Sequence, residues 1–71
     1  MTDYYIRAML RRATSEGLLH GWQGPHTDAR SYAISPGVGP AGEWPLARVI
    51  DYVEMLAASG LEPLIRASEP V

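Results

Sequence analysis

Residues 45–60, PLARVIDYVEMLAASG, restrict the fold more than any other stretch, because periodicity, start signal and stop signal agree there. Leu46, Val49, Ile50, Val53, Leu56 and Ala57 recur at helical spacing and form one apolar stripe along an α-helix. Pro45 suits the first helical position, where a missing N–H leaves no bond unmade. Gly60 suits the residue past the end, where φ turns positive, and Leu61 then folds back onto the last turn in a Schellman cap. Arg48, Asp51, Glu54 and Ala58 take the opposite side, a solvated face with local ion pairing. One apolar side demands a covering surface, and the rest of the chain has to supply it.

Length limits that supply. A chain of 71 residues is a single domain, residues 1–71, and buries only about 60% of the surface its unfolded form exposes. With no Cys, neither a disulfide nor a thiolate–zinc site braces it, so a compact core, a partner or a homodimer has to. No apolar run approaches the roughly 18 residues of a membrane span, and Asp3, Arg11 and Arg12 do not fit a secretory signal. The expectation is a cytoplasmic protein with no membrane contact.

Residues 2–16 read as a second helix, with Thr2 as N-cap and Asp3 where the helix dipole favours a carboxylate. Tyr5, Ile6, Met9, Leu10 and Ala13 form its stripe, and Gly17-Leu18 repeats the Gly-Leu ending of the later helix. Between the helices, residues 18–23 and 30–35 alternate as strands do, with Leu18, His20 and Trp22 on one face and Tyr32 and Ile34 on one face. Residues 24–29 form the hairpin loop, and 35–44, SPGVGPAGEW, form a long Gly/Pro connector without periodicity. Residues 64–67 would add a short C-terminal third strand, and 68–71 a frayed tail. The fold class is therefore α+β in the order α-β-β-α, two helices on one face of an antiparallel hairpin sheet. Its core is Ile6, Met9, Leu10, Ala13, Leu18, Ile34, Leu46, Val49, Ile50, Val53 and Leu56.

No catalytic or metal-binding set emerges, so the expectation is a protein that is not an enzyme and needs no cofactor. Gly37, Gly39 and Gly42 spell G-x-G-x-x-G, yet one strand–helix pair cannot build a dinucleotide crevice, and Pro40 lacks the N–H a phosphate cradle uses. His20, His26 and Asp28 match no familiar metal spacing. Those residues with Ser31 or Ser35 spell a triad, but nothing positions an oxyanion hole.

The aromatics and cations carry more information. All aromatics are Tyr or Trp and all cations are Arg, the residue types that dominate binding hot spots. The absence of Lys, Asn and Phe also points to a GC-rich genome, bacterial or of a phage. The leading expectation is a small non-catalytic protein–protein interaction module, a phage or bacterial regulator or inhibitor that sterically blocks a larger complex, as anti-CRISPR proteins do. Arg7, Arg11, Trp22, Tyr32 and Trp44 are the candidate partner contacts. The alternative is a nucleic-acid-binding regulator touching phosphates through Arg7 and Arg11. A net charge of −2 argues against it. An α-β-β-β-α order would resemble a double-stranded-RNA-binding domain. Here a third strand would have to cross the Gly/Pro connector, and the last helix opens without a basic cluster.

Overall fold

Both helices of the computed structural model, which describes residues 1–66, begin and end on the signals that their sequences carry. Helix α1 spans Asp3–Ser15, and Thr2 Oγ1 accepts the Tyr5 N–H at 3.1 Å. At its end Gly17 turns to φ +78°, while Leu18 N–H donates to Ala13 O at 2.9 Å and Gly17 N–H to Thr14 O at 3.1 Å. Those are the two bonds of a Schellman cap. Helix α2, Leu46–Ala58, repeats it: Gly60 has φ +93°, Leu61 N–H donates to Leu56 O at 3.1 Å and Gly60 N–H to Ala57 O at 3.0 Å. Pro45 is the N-cap residue itself, one place earlier than its sequence reading.

Three strands lie between the helices: β1 Gly21–His26, β2 Ser31–Ser35 and β3 Gly42–Trp44, all antiparallel in the order β1-β2-β3. The class is α+β, but the order is α-β-β-β-α. The third strand precedes α2 instead of following it. Pro36 and Pro40 fall outside β3, so Gly42, Glu43 and Trp44 keep the N–H groups a ladder needs. Residues 64–66 form no strand, because Leu64 N–H donates at 3.0 Å to Ala8 O in the middle of α1. Residue 67 and the tail 68–71 fall outside the described residues. Strand β1 starts later than expected and runs on to His26 across a bulge after Gln23; the shortened turn holds Thr27 and Arg30 at φ +59° and +57°.

The core is the meeting of both helix stripes with the inward face of β2: Ile6, Met9, Leu10, Ala13, Leu19, Tyr32, Ile34, Val49, Val53 and Leu56. Leu46 and Ile50 close its edge as half-buried residues. Leu18 is 48% exposed and Leu19 takes its expected place, because the cap at Gly17 rotates the chain before the sheet begins. Ala8 is fully buried although it sits about 200° round the helix from Ile6. Residues 61–66 explain it by crossing back over α1. There Arg11 Nε donates to Leu64 O at 3.0 Å. No helix among the described residues is long and apolar enough to cross a membrane.

Candidate partner-binding surface

Strand pairing brings three of the candidate contact residues into one row. Trp22 lies opposite Ile34 and Tyr32 opposite Trp44, so with period-2 alternation all of them face the helices. The Trp22 and Tyr32 rings are 6.3 Å apart at 48°. The middle member is lost to the surface. Tyr32 is fully buried beneath both helices and cannot meet a partner. Burial pushes its hydroxyl up to about 12; Asp3 adds to that, and Arg7 and Arg30 oppose it. Trp22 and Trp44 remain half-buried on the two outer strands.

Neither candidate arginine of α1 stands apart from its own chain. Arg11 holds the crossing segment through Leu64 O, and the charge of Arg7 acts on the Tyr32 hydroxyl. A third arginine fastens the hairpin turn to the start of α1: Arg30 Nε and Nη2 reach Asp3 Oδ1 at 2.8 and 2.7 Å.

At the junction of β3 and α2 a different cluster forms. The Trp44 and Tyr52 rings meet edge to face, 5.7 Å apart at 87°, and Arg48 Cζ lies 3.9 Å from the centre of the Trp44 ring. Arg48 therefore stacks on Trp44 instead of pairing with Asp51 across the solvated face. Met55, 52% exposed, continues the line, since Arg48, Tyr52 and Met55 occupy i, i+4 and i+7 on α2. Arg48, Tyr52 and Met55 are the surface residues that sequence reasoning did not select. The signal was the four-residue spacing of Trp44, Arg48 and Tyr52, which places them in one line once the helix starts right after Trp44.

The opposite face of the sheet is small and polar. Glu43 Oε2 accepts from Ser31 Oγ at 2.6 Å and lies 2.9 Å from His26 Nδ1, which links all three strands. Ser31 is bonded to the carboxylate and not to His26, so the residues that spell a triad are arranged as a tether. Among the described residues no three His, Cys, Asp or Glu side chains converge on one point. The hydrogen bond from Ser31 and then that from His26 hold the Glu43 carboxyl below its ordinary value. Its contribution to stability is therefore complete above the ordinary Glu pKa and fades as pH falls through the lowered one. The protection factors of the Glu43 and Trp44 amides, each measured against the intrinsic exchange rate at the same pH, are expected to fall as pH drops below about 4.5, the ordinary value of the carboxyl. Glu43→Gln should remove that acid-dependent step while leaving neutral-pH exchange in the helices unchanged. An acid step of the same size in Glu43→Gln would rule the tether out.

No protein family, curated protein or solved structure matches the chain.

Proposed function

We propose that this chain is a small non-catalytic protein-binding module whose contact surface runs from Trp44 at the end of β3 along α2 to Met55. The stack of Arg48 on Trp44, braced by Tyr52 and continued by exposed Met55, carries the reading. It groups the residue types of binding hot spots on a rigid helix, where little side-chain freedom remains to be lost on association. In the cytoplasm of a bacterium, or of one infected by phage, such a module regulates or inhibits a larger complex by covering one of its working surfaces. Half-buried Trp22 on β1 lies at the far side of the same inward row and belongs to the rim at most.

The test is capture of the partner from the native host by the full chain. Met55→Glu should weaken capture by roughly thirtyfold, the size of a hot-spot loss near 2 kcal/mol. Gln23→Ala, on the opposite sheet face, should leave it unchanged. Undiminished capture by folded Met55→Glu removes the α2 surface.

The nucleic-acid reading has one observation in its favour: β3 completes the α-β-β-β-α order despite the Gly/Pro connector. Against it stand the net charge of −2 and the engagement of Arg11 by Leu64 O. Binding that falls by about 0.9 log units per log unit of salt for each phosphate contact would favour it over the protein partner.

A further inference from the structure

We propose that Arg48, held on the Trp44 ring, is a carboxylate-recognition site that takes an Asp or Glu side chain of the partner protein; this rests on α2 being the contact surface. The ring supplies an attractive face for the cation but no acceptor for its N–H groups. Among the described residues no hydrogen bond or ion pair engages the Arg48 guanidinium, although Asp51 lies three residues away on the same helix. Stacking at 3.9 Å thus fixes the group while its donors stay unengaged. A guanidinium is a planar fork matched to two carboxylate oxygens, and one already fixed in place loses less freedom on binding.

A phosphate would satisfy the same fork, and the surroundings decide between them. Asp51 and Glu54 follow Arg48 within two turns of α2, both exposed. That field opposes a run of phosphates but admits one carboxylate set among neutral or basic neighbours. Met55 is seven residues beyond Arg48, about 10 Å along the helix. The segment that fits presents one carboxylate to Arg48 and an apolar side chain to Met55.

The full chain, labelled with nitrogen-15, is titrated with acetyl-Leu-Glu-Leu-Leu-amide, with its Gln counterpart and with inorganic phosphate, following the indole Nε1–H resonance of Trp44, the ring under Arg48, which the Arg48 variant keeps. A saturable shift with the Glu peptide is expected. It should weaken roughly tenfold with the Gln peptide, and likewise for the Glu peptide in Arg48→Lys, which keeps the charge and loses the fork. No saturable shift, an equal response to Glu and Gln, or phosphate binding as tight as the Glu peptide overturns the site. With the captured partner the two readings fail separately. Sensitivity to Met55→Glu with indifference to Arg48→Lys overturns only the carboxylate site, whereas indifference to Met55→Glu overturns the α2 surface and this role of Arg48 together.

Discussion

Tyr32→Ala is expected to lower stability by about 3–5 kcal/mol, the range for deleting a buried aromatic ring. A domain of this length ordinarily has about 4–10 kcal/mol in all, so the variant sits at the edge of unfolding. With a urea slope of about 1 kcal/mol per molar, the midpoint should drop by about 3 M or more. The reason is position: Tyr32 heads the fully buried side chains by volume, pairs with Trp44 across the strands and packs against Trp22. Tyr32→Phe keeps the ring and gives up only a hydroxyl 3.5 Å from Asp3 Oδ1, so it should stay within about 1 kcal/mol of the parent. The two variants also separate in alkali. With the hydroxyl pushed up to about 12 by burial, an unfolded chain releases that proton first, near 10. Stability is then level below about pH 10 and falls as pH rises toward 12. Tyr32→Phe should lose that part of the slope and keep the part from Tyr52, which burial also raises. A parental urea midpoint in Tyr32→Ala, with partner capture lost, would return Tyr32 to the surface.

Tyr32 also shows where sequence reasoning stops. Its alternation with Ile34 is local, and it correctly marks one face of β2. Whether that face is dry depends on both helices closing over it, which no residue within β2 encodes. A Tyr with the composition of a hot spot thus became the centre of the core. The helices were legible because their signals are local: Thr2 caps α1, and Gly17 and Gly60 stop the helices in left-handed turns. Strand β3 was hidden because its three residues, Gly42–Trp44, are too few to show a period. Leu18 and Leu19 are chemically alike, and only the rotation of the cap between helix and sheet selects the second for burial. At the candidate surface, reading Arg48 against Asp51 considered only partners within the helix. The ring that holds Arg48 arrives from the strand before it.

Gly24→Ala is the second large loss expected, and it arises from collision instead of deletion. Gly24 has φ +155°, and a Cβ there would lie 2.6 Å from Tyr32 Cδ2, 2.8 Å from Tyr32 Cγ and 3.1 Å from the Ser31 carbonyl oxygen. Something must move, and neither neighbour is free to. The ring is enclosed in the core, and the carbonyl belongs to the backbone of the central strand. Backbone strain of about 1–3 kcal/mol adds to overpacking of about 1–3 kcal/mol, for about 2–5 kcal/mol together. Gly39→Ala separates these contributions, since Gly39 has φ +144° but nothing within 4 Å of the added carbon. It should show the strain alone, so the difference between the two urea midpoints measures the collision. Tyr32→Leu, which removes the ring but keeps a buried apolar side chain, should make Gly24→Ala less costly than in the parent. That non-additivity is the signature of two residues in contact. Additive losses, or a Gly24→Ala midpoint equal to that of Gly39→Ala, would mean that the bulge in β1 does not rest on the Tyr32 ring.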